Sequence, residues 1–287
     1  MNADDEILDS GKIADISRVK ELYREKAQFH SEYYSELEYL RSQIYDELKS
    51  SLLEKAQPFE FLNWQRAVKY KYSLAPLSAK GSLVDPGGRF NIGAIDVARF
   101  PMFAALYLAS DKKTALAELL GRSDQPISSL TPEELALTKA ASITVVSLSG
   151  QLESVLDITD AKNLTPFTNL IKGFKISSKL ILKSRKVGLP VALIRDSTTL
   201  MKVLQAPAWR EWPMGYDVPA APQIFGRIVQ DAGIEGILYR SILTDSTCLA
   251  AFPQNFQNSS ACIEIDDPCP AETLHRRLDS TTFENFI

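Results

Sequence analysis

The sequence predicts a mixed α+β protein, a central sheet with flanking helices behind an N-terminal helical extension. Three observations carry this. Residues 13–55 contain no glycine or proline, and Leu37, Leu40, Ile44, Leu48 and Leu52 recur every three or four positions, the period of a helix with one apolar face. Downstream, short apolar runs bounded by turn residues read as strands, among them Ser142–Gly150, Gly236–Ile242 and Cys248–Phe252. Between them, 163–205 is mainly helical in pattern.

In chain order, residues 1–57 form the extension, with an earlier helix built on Ile16, Val19 and Tyr23 ahead of the long one. Its apolar stripe needs a cover, either its own domain, a second copy in a homodimer, or a partner protein. From 58 to 256 runs the main domain. Pro86, Gly87 and Gly88 make a turn, and Arg89–Ile92 alternates as a short strand that sets Arg89 and Asn91 on one face. Ala105–Ala109 is a second strand carrying Tyr107. Ser110 or Asp111 caps a helix over Thr114–Leu120 that Gly121 closes. A connecting helix follows over Leu130–Ala140, started by Thr131 and Pro132. The helical stretch around 163–215 reads as an insertion or lid, and the rings of Trp209 and Trp212 serve either as core or as a ligand wall. A helix over Ile224–Ala232 leads to the last two strands. The tail, 257–287, is polar and expected to be partly ordered at best.

Composition narrows the function classes. The chain has 287 residues, 45% hydrophobic and 24% charged, the profile of a water-soluble globular protein with a sizeable core. A formal charge of -4 and no basic run longer than His275-Arg276-Arg277 argue against nucleic acid as a partner. No apolar run approaches the ~20 residues of a membrane span, and the acidic start lacks the features of a signal peptide, so a cytoplasmic protein is expected. Cys248, Cys262 and Cys269 are spaced for neither a disulfide framework nor a zinc site, and His30 and His275 both lie outside the central region. No metal site is expected. The spacing Ser110-x-x-Lys113 matches one motif of acyl-enzyme hydrolases, but its companion motifs are missing and helix capping explains it.

Glu118 is the unusual residue of the segment 85–121. Read locally, it either sits at a rim and pairs with a cation such as Arg122, or faces a space left by its small neighbours Thr114 and Ala115. The order Gly-Gly-Arg89-Phe-Asn-x-Gly, then Tyr107-Leu-Ala, then Ala-Leu-x-Glu118 resembles the RES domain family. Val145–Asp160 is similar to that family's central strand and Leu-Asp-Ile-Thr-Asp segment, and Pro222–Phe252 to its C-terminal portion with Ser241. The resemblance implies an ADP-ribosyltransferase-like sheet and an enzyme that consumes NAD as a substrate, with no further cofactor, usually as the toxin partnered by an antitoxin. It implies roles too: Glu118 as the catalytic carboxylate, Tyr107 as a stacking ring, Arg66 and Arg89 on the phosphates, and Ser241 as the family serine. Lys80 and Ser82 either line the phosphate site or simply make a turn.

The chemistry suits that residue set. Nicotinamide is a cationic leaving group that departs neutral, so breaking its bond to ribose needs no general acid, and one fixed carboxylate stabilises the cationic ribose that develops. Arginine forks grip pyrophosphate. The reaction is glycohydrolase- or phosphorylase-like. Transfer of ADP-ribose to a macromolecule, or a catalytically silent interaction protein, stand as the other readings.

Overall fold

The computed structural model describes residues 10–121 and 143–287; the helix expected over 130–140 and the side chain of Arg122 lie outside the described residues. The fold is α+β, and the chain divides into two compact units, 1–43 with 173–193, and 44–172 with 194–287.

The first unit is a helix pair. α1 is a single helix, Ser10–Ser42, where the sequence suggested two. After Gly11, in the first turn, no glycine or proline occurs to break the helix before Gln43. Residue 173 to 193 contributes α5, Ser178–Val187, capped by the Ser177 hydroxyl. Phe29 is buried, and Lys183 and Lys186 pair with Glu32 and Glu25 at 2.8 and 2.5 Å. His30 packs edge-on against Phe29, and burial, reinforced by Lys26, pushes its imidazole down to about 4. Val19 and Tyr23 of the predicted stripe are exposed.

The second unit begins with α2, Tyr45–Leu53, so the division falls before this helix and not at residue 57. The reason is burial: Leu48 and Leu52 are 0% exposed, and α2 packs on α4 (Thr165–Ile171) and α8 (Ala221–Asp231). Leu52→Ala should therefore destabilise the second unit by about 2–5 kcal/mol in urea unfolding, an effect that an external arm would not produce. The predicted insertion is divided likewise, since only its residues 173–193 join α1.

The sheet holds β1 (Ala56–Lys69), β2 (Leu106–Ala109), β3 (Ile143–Asp157), β4 (Gly236–Arg240), β5 (Thr247–Ala251), β6 (Cys262–Ile265) and β7 (Arg277–Leu278) in the order β1-β2-β5-β4-β3-β6-β7. β1 also pairs antiparallel with β3 from Ala56↔Leu156 to Lys69↔Ile143, so the pairings β1-β2-β5-β4-β3-β1 close a circuit. All neighbours run antiparallel except β3 and β4. A parallel pair needs a long crossover, and the helices between Asp157 and Gly236 provide it: α4, α6 (Ser197–Leu204), α7 (Glu211–Tyr216) and α8, besides α5.

Two expectations fail here. The tail is not loosely ordered: β6 and β7 extend the sheet, Leu278, Phe283 and Phe286 are buried in the core, and the Phe286 carbonyl accepts the Ala79 N–H at 2.8 Å. Its apolar residues are few and widely spaced among polar ones, so no periodic signal marks them. Nor is Arg89–Ile92 a strand; it is a turn held by side-chain amides, as described below. Among the described residues no helix is long and apolar enough to cross a membrane.

Candidate active site

β1, β2 and the turn after Gly87 border a cavity of about 570 Å³ whose lining includes Arg66, Arg89, Tyr107 and Glu118. α3, Lys112–Leu120, carries the glutamate. Asp111 caps it, accepting the Thr114 N–H at 2.8 Å, and Gly121 ends it at φ 67°. Its buried face is Thr114–Ala117, which leaves Glu118 exposed at the cavity.

Ser241 lies 123 residues further on and meets Glu118 directly, donating from Oγ to Oε1 at 2.6 Å. The serine is 3% exposed and follows the last residue of β4; its Oγ accepts the Leu243 N–H at 3.1 Å, and its own N–H donates to the Ser246 carbonyl at 2.8 Å. Thr244 adds a hydroxyl contact of 2.8 Å to Thr114. The 241–246 turn is thus fastened to α3 at both levels, and the carboxylate is held in one orientation. Oε2 accepts nothing from the described residues.

The turn bearing Arg89 is built without sheet partners. Asn91, fully buried, donates to the carbonyls of Ser82 (2.8 Å) and Phe103 (3.0 Å) and accepts the Gly88 N–H and the Tyr107 hydroxyl at 2.9 Å each. Gln223 on α8, also fully buried, reaches the carbonyls of Pro86, Gly88 and Asn91 at 2.7, 3.2 and 3.0 Å. These two amides take the backbone groups a strand neighbour would have taken. Asn91 and Arg89 therefore part company: the first is structural and the second lines the cavity.

Tyr107 has a different duty from the one expected of a reactive group. Its hydroxyl donates to Asn91 and accepts the Phe90 N–H at 3.0 Å, and burial raises it above the ordinary phenol range. The ring packs so closely on Gly88 that a Cβ there would lie 2.3 Å from the hydroxyl oxygen. The hydroxyl is committed to these two turn-fixing bonds.

Arg66 is a clamp. Nε donates to Pro76 (2.7 Å), Nη1 to Tyr107 (2.9 Å) and Nη2 to Ser78 (2.9 Å), all backbone carbonyls, and burial lowers the guanidinium to about 10. It ties β1 to β2 and to the loop at 76–78, with three of its five N–H groups committed. Arg89 donates from Nη1 to the carbonyls of Leu204 and Ala206 at 3.1 Å each; burial lowers it, opposed by Tyr239 and Glu118. Ser82 lines the cavity but spends its hydroxyl on Ala79 and on the Ala105 N–H, and Lys80 is not part of the lining.

A model of the RES domain matches residues 63–275. The chain belongs to the RES domain family. Among solved structures this RES-domain chain is similar to the MbcT-MbcA toxin-antitoxin complex of M. tuberculosis, at 14% identity and a TM-score of 0.42 over 84% of this chain and 96% of that one. No curated protein matches it in sequence.

Sequence reasoning missed several contributors. Lys69, Lys71 and Arg210 also line the cavity, so five cationic side chains there face the single carboxylate of Glu118 among the described residues. Trp209, 4% exposed, is shared by Arg89 and Arg210, whose guanidinium carbons stand 5.8 and 4.6 Å from its ring centre. It is core and cavity wall at once. Cys248 borders the cavity too, but burial raises its thiol and keeps it protonated, which removes it as a nucleophile. In Gln223 nothing in the local sequence signals the role, since its partners Pro86, Gly88 and Asn91 lie far back along the chain.

Proposed function

We propose that this RES-domain protein cleaves the nicotinamide-ribose bond of NAD, with water or phosphate as acceptor, and acts as a toxin restrained by an antitoxin. The observation that carries the reading is the Glu118–Ser241 pair at 2.6 Å beside a cavity whose other charged lining residues are all cations. A cationic cavity fits a pyrophosphate, and a lone oriented carboxylate fits a ribose that becomes positive as nicotinamide leaves. Ser241 fixes Glu118 through Oε1 and leaves Oε2 for the sugar hydroxyls. The ring of Tyr107, held by its hydroxyl, offers a surface for nicotinamide, and Arg66 shapes the site by holding β1 and β2 together. Family membership supports the toxin role and an ADP-ribosyltransferase-like reading of the sheet. The exposed Val19 and Leu22 on α1 favour this helix as the place where a second copy or an antitoxin docks.

The test is to incubate the purified chain with NAD, with and without phosphate, and to identify the products by mass. Free nicotinamide with ADP-ribose or its phosphorylated form is the expected result. Label carried on a macromolecule would favour a transferase, and intact NAD with a folded protein would overturn the proposal.

A further inference from the structure

We propose that Arg210 is the phosphate-gripping side chain of this cavity, so that the turn Pro207–Arg210 belongs to the dinucleotide site. The inference rests on the reading of the cavity as an NAD site.

Three arginines line the cavity, and they differ in what they have left to give. Arg66 has donated three nitrogens to carbonyls. Arg89 has turned Nη1 to Leu204 and Ala206, the residues at the end of α6. Arg210 is exposed and donates to no acceptor among the described residues. Its guanidinium nevertheless has a defined seat, 4.6 Å from the centre of the Trp209 ring, and that ring is itself buried. Stacking occupies the face of a guanidinium and leaves its in-plane N–H fork open, the edge that binds phosphate oxygens in pairs.

Arg89 and Arg210 reach the same indole from the two residues' separate segments, which brings two like charges into one place. Their mutual repulsion is relieved by an anion bound between them. Arg89 also secures the chain that carries Arg210, because the Ala206 carbonyl it holds directly precedes the turn Pro207–Arg210. Lys69 and Lys71 are weaker candidates: each is a single-point donor on a flexible stem, and Lys71 lies over the Tyr72 ring. The site therefore pairs a motif arginine with one from outside the motif. An arginine already seated loses less freedom on binding, which favours affinity.

The experiment compares the unsubstituted chain with Arg210→Ala and Arg210→Lys by calorimetric titration with ADP-ribose and by steady-state nicotinamide release. Arg210→Ala should weaken ADP-ribose by about 10-fold or more and raise KM for NAD, with kcat changed by less than about twofold. Arg210→Lys should recover part of the affinity, and thermal melting should move by no more than a few degrees, since this side chain makes no hydrogen bond to the described residues and loses only its contact with Trp209. ADP-ribose affinity unchanged in both variants would overturn the proposal, as would failure of the unsubstituted chain to bind ADP-ribose. Binding that depends on Arg210 in a chain that leaves NAD intact would uphold this inference and overturn the cleavage reading.

Discussion

Glu118→Gln is expected to slow nicotinamide release by at least ~100-fold while ADP-ribose binding stays close to that of the unsubstituted chain. The substitution keeps the shape of the side chain, and its amide oxygen can still accept from Ser241, 2.6 Å away in the structure. What disappears is the one negative charge among the described cavity residues. That charge has little to offer a ground-state ligand whose phosphates are anionic, and much to offer a ribose turning cationic, so the loss belongs in kcat and not in affinity. Single-turnover release of nicotinamide separates the two. A variant that retains near-normal release would remove Glu118 from the catalytic role and leave the pair with Ser241 as a helix-to-turn fastening.

Gly226→Val is expected to destabilise the second unit by at least about 3 kcal/mol and to abolish nicotinamide release. Gly226 lies on α8, where a Cβ would stand 2.1 Å from the Phe90 carbonyl oxygen and 2.6 Å from its carbon. Both are backbone atoms with no rotamer to yield. The helix would have to move off the turn, breaking the Gln223 contacts to Pro86, Gly88 and Asn91 and carrying Arg89 out of place. Denaturant unfolding followed by intrinsic fluorescence measures the loss. A variant of unchanged stability would mean that α8 is not seated on the turn as described.

Legibility in the sequence followed the range of the interaction. α3 could be read closely, since Asp111, the apolar run and Gly121 are local signals and the cap and closing glycine sit where the helix begins and ends. β2, β4 and β5 were legible for the same reason, as short apolar strands between turns. The 89–92 turn was misread because its alternation resembles a strand, while the groups that replace a sheet neighbour, Asn91 and Gln223, are polar residues whose burial no periodicity reveals. The tail was misread for the opposite reason. Leu278, Phe283 and Phe286 are sparse, and they matter only because the core leaves room for them.

The same division runs through the site. Local sequence, together with the family pattern, determined that this chain carries Arg89, Tyr107, Glu118 and Ser241 in an α+β domain of the RES family. Those are properties of short segments and their order. Only the tertiary structure decided what each side chain has left to offer: that Arg66 is consumed in holding carbonyls, that the Tyr107 hydroxyl is consumed in holding a turn, that Ser241 orients Glu118, and that Arg210 comes to the cavity on Trp209. A donor is free or committed according to partners that lie tens to more than a hundred residues away, and the closure of the β1-β2-β5-β4-β3 circuit is what brings those partners within hydrogen-bond distance.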